Sequence, residues 1–584
     1  MKFDAPFVLV EDARPGGAGR LFSAPSDTII AANLNEVGPA LERVRAALRA
    51  GRYAAGWISY EAGFAFEEKL ARLKRPVSTL PLLWFGLFDG FSEVRAEELE
   101  LALPDPHGAW ISKPRPRISQ AQYREAFART QHYIIGGDVY QINLSYRANL
   151  TLQGDPLAAY ARLRRAGRGG WSGVVNNGNN WLLSTSPELF FRIRSGVIEA
   201  RPMKGTAKRA SDPEEDLRAA QRLRADSKER AENVMIVDLL RNDISRVAEI
   251  GSVHVPALFS VETYPTLHTL TSTVRACMGP GKDAVDALRA LFPCGSVTGA
   301  PKIRAMEIIN ELEGDARGPY TGSIGWLAPD GDAEFNVAIR TLAIADGRAE
   351  LGLGSAVVAD SSADAEWEEC RAKGAFISSG APEFELIETM RFEPGSRVER
   401  LDLHLARLGA SAVAFGFAFD ATIIRAALGA ALDGVREACV TRLTLNASGA
   451  PSITFRPIVA AASMLAALAP LPVRSSDFRL RHKTTLRGFY DEARKAANAD
   501  EVVFTDEAGF LTEGSITNVF VERDGVLLTP PASRGLLPGV LRAALLIEGR
   551  AREADLRVED LAGGFFLGNS VRGLVPARLV DLTG

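Results

Sequence analysis

Two kinds of hydrophobic pattern recur along the whole chain: short apolar runs typical of strands, and longer runs typical of helices. Residues 502–505 form a short run of β-branched and aromatic residues, and residues 542–547 form a helix-type run. Apolar and polar residues alternate through residues 333–341, as expected of a half-buried strand. Because strands and helices are mixed throughout, the pattern predicts an α/β or α+β fold.

A segment of small residues divides the chain near residue 380. Residues 378–382 (Ser-Ser-Gly-Ala-Pro) follow a predicted helix at 363–376 and precede a new apolar run that begins at Phe384. The sequence contains no internal repeat, heptad array or low-complexity tract, which excludes a solenoid or a fibre. The sequence predicts a large domain, a short linker and a smaller domain, at residues 1–380, 381–383 and 384–584.

The composition is typical of a soluble globular protein. Of the 584 residues, 46% are hydrophobic and 24% are charged, and the formal charge is −4, so the chain as a whole does not attract nucleic acid or an anionic membrane. The longest apolar stretch, residues 458–472, is interrupted by Ser463 and Pro470 and falls short of the ~18 apolar residues of a membrane span. Asp4 and Glu11 interrupt the apolar residues at the N-terminus, so no signal peptide is expected.

The cysteines stand far apart in the sequence and form no Cys-x-x-Cys pair. Neither a disulfide framework nor a thiolate zinc site is therefore indicated. A reducing compartment fits this pattern best. Together with the lack of a signal peptide or membrane span, the cysteines predict a cytoplasmic protein, whose partners we expect to be small molecules or proteins and not nucleic acid or membrane.

Two glutamates three positions apart could hold a hard cation. Glu366 and Glu369 follow residues 361–364, whose sequence is that of a capping box, so both carboxylates would lie on one face of a helix. Magnesium prefers oxygen ligands and often bridges protein carboxylates to an anionic substrate, and a third acid such as Glu232 could complete the site. The alternative is a solvated helix face.

Two basic residues could act on an anionic substrate. Arg340, at the end of the alternating segment, could bind a carboxylate through paired hydrogen bonds, and the alternative is an exposed strand arginine. Lys204 lies at a predicted strand-to-turn transition, where an amine with a lowered pKa could act as a nucleophile, and the alternative is a surface lysine. Neither residues 295–302 nor Gly352 and Gly354 complete a phosphate-loop or dinucleotide fingerprint, so no nucleotide site is indicated.

Blocks of distinctive sequence are spread through the first half. They are Gly-Asp-Val-Tyr-Gln-Ile-Asn-Leu (137–144), Ser-Pro-Glu (186–188), Arg-Pro-Met-Lys-Gly-Thr (201–206), Arg-Ala-Glu-Asn-Val-Met-Ile-Val-Asp-Leu (230–239), Arg-Asn-Asp (241–243), Gly-Ser-Val-Thr-Gly-Ala-Pro-Lys (295–302), Arg-Gly-Pro-Tyr-Thr-Gly (317–322) and Glu-Trp-Glu-Glu (366–369). With these blocks, residues 1–380 resemble the chorismate-utilising family, and within it component I of the aminodeoxychorismate synthases. The resemblance implies a large mixed α/β sandwich of two sheets, with chorismate and Mg²⁺ in a central cleft.

The same resemblance implies roles for individual residues of the first half. Glu232 and Glu369 would bind Mg²⁺ with support from Glu366, so that the metal neutralises the ring carboxylate of chorismate. Glu188 would be the general acid that protonates the departing C4 hydroxyl, a role that needs a carboxyl group with a raised pKa. His268 would join the catalytic residues and line the cleft. The substrate-binding residues would be Gln141, Thr298, Tyr320, Arg340, Gly352 and Gly354.

Lys204 and Gln141 distinguish the reactions of this family. In the aminodeoxychorismate synthases, a lysine in the Pro-x-Lys-Gly-Thr context attacks C2 of the ring and expels the C4 hydroxyl, before ammonia adds at C4 and displaces the lysine. Anthranilate synthases carry alanine there, and isochorismate synthases carry a water-activating lysine where Gln141 stands. By resemblance, both residues indicate amination at C4. Residues 6–12 depart from the Leu-Leu-Glu-Ser-type motif that lines an amino-acid pocket in many relatives, so we expect no bound or inhibitory tryptophan.

The second half contains a lysine followed by turn and helix signals. Lys483 lies in His-Lys-Thr-Thr-Leu-Arg (482–487), and residues 505–509 predict a hairpin turn. After residues 511–519, the segment 537–542 opens a helix. A small-residue turn and a helix N-terminus offer the free N–H donors and the dipole that a phosphate group needs. Without that context, a lysine beside threonines is weak evidence of a site, and the alternative is a structural role.

These segments resemble the fold-type IV pyridoxal-phosphate enzymes, and among them the 4-amino-4-deoxychorismate lyases. The resemblance implies that Lys483 binds pyridoxal 5′-phosphate covalently, that Glu513 pairs with its pyridine nitrogen, and that Thr389 assists proton transfer. The phosphate group would be bound by Arg407, Ser515, Ile516, Thr517, Gly539 and Val540. Branched-chain and D-amino-acid aminotransferases share this site, so the motifs indicate the fold more directly than the reaction.

Both resemblances together imply a bifunctional enzyme of 4-aminobenzoate synthesis, in which the lyase half consumes the product of the first half. The chain has no glutaminase nucleophile motif, so ammonia would arrive free or from a separate glutamine amidotransferase subunit. A homodimer through the second half is expected by resemblance. The alternative is an anthranilate synthase-like first half with a second half that is an aminotransferase or a degenerate scaffolding module.

Overall fold

The computed structural model describes residues 1–580 except residues 265–266, 346, 396–397 and 498. The described residues form two compact units. The first unit comprises Met1–Leu103, Lys113–Leu150 and Tyr160–Gly380, and the second comprises Pro104–Ser112, Thr151–Ala159 and the chain from Ala381 onward. Two short segments of the first half therefore belong to the second unit, which the sequence pattern did not indicate. The linker at 381–383 stays a prediction.

One antiparallel sheet of the first unit carries several of the distinctive sequence blocks on its strands. Arg115–Pro116 pairs with the strand Gln141–Leu150 at one edge. The order of strands across this sheet is Gly299–Ala300, Gln141–Leu150, Arg348–Val357, Thr341–Ala345, Trp181–Ser186, Trp171–Asn176, Phe7–Glu11, Ala18–Ser23 and Ser92–Arg95.

Another antiparallel sheet lies against the first through its apolar side chains. Its order is Met203–Lys208, Leu267–Cys277, Val197–Arg201, Leu189–Arg194, Ala333–Asn336, Ser323–Leu327, Tyr53–Ile58, Leu83–Phe88 and Asp27–Ala31, with His254–Thr263 paired to Leu267–Cys277. One hydrophobic cluster contains Val8 and Val175 of the first sheet together with Trp57 and Trp326 of this sheet. Trp57 stacks on Trp84 with 5.4 Å between ring centroids. The predicted α/β sandwich of two sheets is confirmed.

Helices cover the sheets of the first unit. Side chains of the helices Leu34–Arg49, Ser227–Ser245 and Ala284–Leu291 share a buried cluster with Phe85 and Val274 of the second sheet. Asp226 caps the helix Ser227–Ser245, because its carboxylate accepts hydrogen bonds from N–H groups of the first turn. The cap fixes where the helix begins, and Glu232 lies in the helix shortly after it. The other helices of the first half are Glu68–Ala71, Ala96–Ala102, Gln120–Ile135, Pro156–Gly167, Pro213–Ala225, Lys302–Leu312 and Ala363–Gly374.

The second unit contains a small sheet and a larger mixed sheet. The small sheet runs in the order Leu386–Phe392, Cys439–Leu445 and Pro451–Pro457. The larger sheet runs in the order Leu511–Gly514, Glu501–Thr505, Met464–Pro470, Gly573–Leu579, Phe565–Asn569, Asn518–Arg523, Val526–Thr529 and Ala551–Glu553. The helices are Leu401–Phe415, Ala421–Leu432, Phe478–Arg481, Gly488–Ala497 and Val540–Ile547, and Ala109–Ile111 pairs with Leu152–Gly154.

Two local predictions need correction. The alternating segment 333–341 is not one strand, because Ala333–Asn336 ends in the second sheet and the chain crosses to Thr341–Ala345 in the first. Arg340 lies in this crossover with a positive φ of 49°. The predicted capping box at 361–364 does not form, since the Ser361 hydroxyl instead donates a 2.6 Å hydrogen bond to Glu366.

Candidate active sites

An amine and a carboxyl group with displaced pKa values lie together in the first unit. Lys204, on the strand Met203–Lys208, is half-buried and donates a 3.3 Å hydrogen bond to the Ser296 carbonyl. Burial lowers its pKa, against the attraction of Glu232 and Glu188. Burial likewise raises the pKa of Glu188 to about 7, against the effects of Ser296 and Lys204. Near neutral pH, part of the Glu188 population is therefore protonated.

The backbone beside Lys204 is shaped by a glycine. Gly205 has a φ of 68°, and a Cβ there would lie 2.7 Å from a carboxylate oxygen of Glu229. The pairing with Leu267–Cys277 shifts register between Lys204 and Thr206. This bulge bends the strand at Lys204, the candidate nucleophile, and changes the direction of its side chain.

The three predicted metal ligands influence one another. Burial raises the pKa of Glu232, and the charges of Glu366 and Glu369 raise it further, against Lys204. Glu366 is buried, and its Oε2 has no hydrogen-bond partner among the described residues. In the part of the chain that the structure describes, no three His, Cys, Asp or Glu side chains converge as a ligand set. A bound cation would satisfy the orphaned Glu366 oxygen and relieve the repulsion, but the three carboxylates do not converge as a ligand set here, so the Mg²⁺ site stays a prediction.

Sequence reasoning missed the lysine that accompanies these acids. Lys373 pairs with Glu369 at 2.8 Å and donates to the Gly354 carbonyl at 3.1 Å. Despite the cost of burial, the Glu369 carboxylate raises the pKa of Lys373. The sequence could have indicated this pair, because Glu369 and Lys373 are four residues apart on one predicted helix, a spacing that brings an acid and a lysine together.

The two candidate substrate-binding glycines make room for an aromatic ring. A Cβ at Gly352 would lie 2.2 Å from Tyr320 Cγ and 2.0 Å from Arg147 Nη1, and a Cβ at Gly354 would lie 2.8 Å from the Tyr320 hydroxyl. The Arg147 guanidinium lies 4.7 Å from the Tyr320 ring centroid. Both glycines therefore let Tyr320 and Arg147 lie against the strand Arg348–Val357.

The other candidate residues of the first unit differ in whether their polar atoms already have hydrogen-bond partners. Both ring nitrogens of His268 have protein partners, the Thr263 hydroxyl at 3.0 Å and Asp216 at 2.9 Å. The buried Thr298 hydroxyl donates to backbone carbonyls. Gln141 is fully buried, and neither polar atom of its amide has a partner among the described residues. Arg340 is half-buried, and burial lowers its pKa. Arg340 and Gln141 are thus the residues with capacity for a new partner.

Lys483 and Thr389 form the centre of the candidate site in the second unit. The Lys483 amine donates a 2.9 Å hydrogen bond to the Thr389 hydroxyl. Burial, together with the positive charge of Arg407, lowers the pKa of Lys483 to about 7. The amine is thus substantially neutral at physiological pH, as covalent binding of an aldehyde requires.

Glu513 is buried and accepts a hydrogen bond from the Tyr490 hydroxyl. Burial raises its pKa to about 8, although Tyr490 opposes the shift. A protonated ring nitrogen opposite this carboxyl would supply the missing positive partner. Glu513 therefore suits a pyridinium ligand.

A buried carboxylate fixes the candidate phosphate-binding arginine. Arg407 donates to Glu388 from Nε at 2.9 Å and to the Pro538 carbonyl from Nη1 at 3.2 Å. Despite burial, Arg407 and His404 hold the pKa of Glu388 at about 2. The contact with Pro538 places Arg407 beside the N-terminus of the helix Val540–Ile547, which begins after Gly539. A phosphate group fits this combination of a cation and a helix N-terminus.

The turn at residues 515–517 is already engaged by a carboxylate that sequence reasoning missed. The Ser515 and Ile516 N–H groups donate to Glu501 at 2.9 and 3.2 Å, and the Thr517 hydroxyl donates to it at 2.9 Å. Glu501 is fully buried. The donors of these three predicted phosphate ligands are therefore already bound to the Glu501 carboxylate.

Two family models match this chain, one in each half. Residues 5–379 match the family model described as chorismate binding enzyme. The chain belongs to that family. Residues 385–580 match the model of amino-transferase class IV, a fold that implies pyridoxal phosphate as the cofactor. Both predicted resemblances are confirmed.

Two relatives of this chorismate binding enzyme are component 1 of aminodeoxychorismate synthase. The protein of Klebsiella aerogenes is 42% identical over 335 residues, 54% of this chain and 74% of that protein. The protein of Escherichia coli K12 is 39% identical over the same length. The crystal structure of anthranilate synthase component I from Streptococcus pneumoniae TIGR4 matches with a TM-score of 0.55 at 27% identity, over 65% of this chain and 93% of that one.

One buried arginine joins the sequence blocks of this chorismate binding enzyme. Arg317 donates to the Asn143 carbonyl at 2.6 Å and to the Val297 carbonyl at 2.8 Å, and it pairs with Glu313. It therefore connects the blocks at 137–144, 295–302 and 317–322. Among the described residues, every helix is too short or too polar to span a lipid bilayer.

Proposed function

We propose that the chain is a bifunctional enzyme that converts chorismate and ammonia to 4-aminobenzoate and pyruvate. The observation that carries the proposal is the pair formed by Lys204, an amine with a lowered pKa, and Glu188, a buried carboxyl with a pKa of about 7. One group suits a nucleophile and the other a general acid. The names of the relatives support the first reaction, and the class IV fold supports the second.

In the first reaction, the C4 hydroxyl of chorismate is exchanged for an amino group. The neutral Lys204 amine attacks C2, the ring double bonds shift, and the C4–O bond breaks as Glu188 gives its proton, releasing water. Ammonia then adds at C4, the returning double bonds expel Lys204 from C2, and the new ammonium group gives one proton back to the Glu188 carboxylate. The product is 4-amino-4-deoxychorismate, and Lys204 is regenerated.

The remaining residues of the first site bind and neutralise the substrate. Glu232, Glu366 and Glu369 would hold Mg²⁺, which supplies positive charge to a chorismate carboxylate. Tyr320 and Arg340 hold a substrate carboxylate, in a place where the desolvated guanidinium gains most from an anionic partner. Because Mg²⁺ would neutralise one chorismate carboxylate, the substrate would not be repelled by Glu232, Glu366 and Glu369.

In the second reaction, pyruvate is eliminated from 4-amino-4-deoxychorismate. Arg407 and the N-terminus of the helix Val540–Ile547 would hold the cofactor phosphate, and Glu513 would pair with the pyridine nitrogen. The chemistry that bound pyridoxal phosphate would supply is an electron sink for the carbanion at C4. Lys483 removes the C4 proton with the Thr389 hydroxyl beside it, the C3–O bond breaks, and the enol of pyruvate leaves as the ring becomes aromatic.

Two further parts of the proposal concern partners. The relatives are named component 1, which supports a separate glutamine amidotransferase as the ammonia source. Purified amidotransferase subunit should then allow glutamine to replace ammonium, and no gain in the glutamine-dependent rate would count against it. Pairing of two chains through the second unit is also proposed, and light scattering after size-exclusion chromatography would measure it.

The two halves are tested by blocking each in turn. With chorismate, ammonium and Mg²⁺, the Lys483→Ala chain should accumulate 4-amino-4-deoxychorismate, and the Lys204→Ala chain should form far less of it. If the Lys483→Ala chain yields anthranilate instead, the first half carries out the reaction named for its structural neighbour, and the proposal fails.

A further inference from the structure

The small sheet of the second unit presents an arginine directly beside the candidate catalytic lysine. Thr389, which accepts the hydrogen bond from Lys483, is directly opposite Arg442 on the neighbouring strand, and Arg442 is opposite Thr454 on the next. Directly opposite residues of antiparallel strands project from the same face, with Cβ atoms about 5 Å apart. Arg442 and the Lys483 amine therefore share one face of the sheet.

A second arginine lies on this face at a diagonal position. Arg456 is opposite Val440, two residues from Arg442 along the strand, so the two arginines are diagonal neighbours with Cα atoms about 7–8 Å apart. Both side chains are exposed. Two guanidinium groups at this spacing could each engage a separate anionic group.

A third arginine approaches from the larger sheet. The Arg391 guanidinium on the small sheet donates a 3.2 Å hydrogen bond to the Val571 carbonyl, which fixes the neighbouring Arg572 close to this face. Burial lowers the pKa of Arg572, and the charge of Arg456 lowers it further although Glu501 opposes this. The three arginines therefore form one cluster beside Lys483, on the face of the small sheet that carries Thr389.

The cluster has an excess of positive charge. Arg391 is paired with Glu393, and Arg407 with Glu388. By contrast, within the described ranges of the chain Arg442, Arg456 and Arg572 form no ion pair with an acid, although the charges of Glu501 and Asp500 offset that of Arg572 in part. Guanidinium groups that have no paired carboxylate, beside a half-buried lysine, are stabilised by an anionic ligand.

We propose that Arg442 and Arg456, with the neighbouring Arg572, bind the two carboxylates of a dicarboxylate amine and so determine the substrate class of the second unit. This inference rests on the proposed lyase function, because 4-amino-4-deoxychorismate carries one carboxylate on the ring and another on the enolpyruvyl group. An amine with a single carboxylate leaves one arginine without a partner, which costs binding free energy.

Ligand binding without turnover tests the proposal. The probes are 3-(1-carboxyvinyloxy)benzoate, an unreactive dicarboxylate, and 3-ethoxybenzoate, a monocarboxylate of similar shape. Each is titrated into the cofactor-loaded full-length protein, and binding is followed by the change in visible absorbance of the bound cofactor, because the first unit is also proposed to bind a dicarboxylate. We expect tighter binding of the dicarboxylate, weakened roughly tenfold or more by Arg442→Gln or Arg456→Gln. Arg442→Lys should lie between, since it keeps the charge and loses the paired hydrogen bonds.

Arg552→Gln is the matched control, because Arg552 is exposed on Ala551–Glu553 at the far edge of the larger sheet. It should leave both affinities unchanged, and all variants should retain the visible absorbance of the bound cofactor. Equal affinity of the wild-type protein for both probes, or unchanged dicarboxylate affinity in both glutamine variants, would overturn the proposal. A protein that binds the dicarboxylate through these arginines but releases no 4-aminobenzoate supports the arginine site and contradicts the lyase reaction.

Discussion

The Lys483 amine lies 2.9 Å from the Thr389 hydroxyl and donates a hydrogen bond to it. Thr389 belongs to the small sheet, and Lys483 follows the short helix Phe478–Arg481. The contact is reinforced by the backbone, because the Ile387 N–H donates to the Lys483 carbonyl at 2.8 Å. The lysine is thus held with its amine against a hydroxyl that can accept and return a proton.

The pKa of about 7 for Lys483 predicts the pH dependence of cofactor binding. Only the neutral amine attacks the aldehyde of pyridoxal phosphate, so the rate of covalent reconstitution should rise with pH up to about 7 and then level off. The measurement is the absorbance change after cofactor is added to the apoprotein. A rate that keeps rising through pH 9 would show an ordinary lysine, whose pKa is about 10.4.

Replacement of Lys204 tests the nucleophile of the first site. Lys204→Ala should lower formation of 4-amino-4-deoxychorismate by roughly a thousandfold, since a covalent route is lost. Lys208→Ala is the matched control, because Lys208 is exposed on the same strand. Chromatography of the products measures the effect, and comparable rates in both variants would exclude Lys204 as the nucleophile.

The raised pKa of Glu188 predicts that the rate of the first reaction falls at alkaline pH. The carboxyl is protonated below about pH 7 and loses its proton above it. As a general acid it is active only when protonated, so kcat/KM for chorismate should fall tenfold per pH unit above about 7. Glu188→Gln should remove this limb and lower the rate roughly 10²–10⁴-fold. A pH profile that stays flat between 6 and 9 in the native protein contradicts the assignment.

The helix Ala363–Gly374 offers matched variants for the metal. Glu366→Gln and Glu369→Gln should each raise the Mg²⁺ concentration for half-maximal activity roughly tenfold, because each removes an oxygen charge from the candidate site. Glu368→Gln should have no effect, since Glu368 is exposed and paired with Arg371. An equal response of all three variants to Mg²⁺ would count against the predicted ligands.

The contact between Gly352 and Tyr320 predicts a loss of stability. In Gly352→Ala the new Cβ would lie 2.2 Å from Tyr320 Cγ, so the ring or the strand must shift at a cost of about 1–3 kcal/mol. Gly38→Ala, on the helix Leu34–Arg49 with open space around the position, should be neutral or stabilising. Thermal unfolding compares the two, and an unchanged Tm for Gly352→Ala would contradict the packing argument.

Local sequence predicted those features whose physical cause is local. The run at 502–505 lies in the strand Glu501–Thr505, and the predicted turn at 505–509 contains Gly509 at a φ of 79°. Whether Ala333–Asn336 continues to Arg340 was not local, because the alternating pattern suits either sheet of the sandwich equally. Only the packing of both sheets decides where the chain crosses.

The side-chain contacts of the candidate sites could not be predicted from the sequence for the same reason. Spacing alone could not show that Lys302 pairs with Asp243 at 2.6 Å, or that Glu501 takes the donors of Ser515 and Ile516. These contacts join segments that are distant or unremarkable in the sequence. Resemblance to known families supplied candidate residues, and the structure adds which of them have partners and which, like Gln141, have none among the described residues.

Product analysis of the intact chain tests the central claim most directly. The purified protein is incubated with chorismate, ammonium, Mg²⁺ and pyridoxal phosphate, and the products are quantified by mass spectrometry. We expect 4-aminobenzoate and pyruvate in equal amounts. Accumulation of 4-amino-4-deoxychorismate without pyruvate would contradict the lyase function of the second unit, and anthranilate would contradict amination at C4.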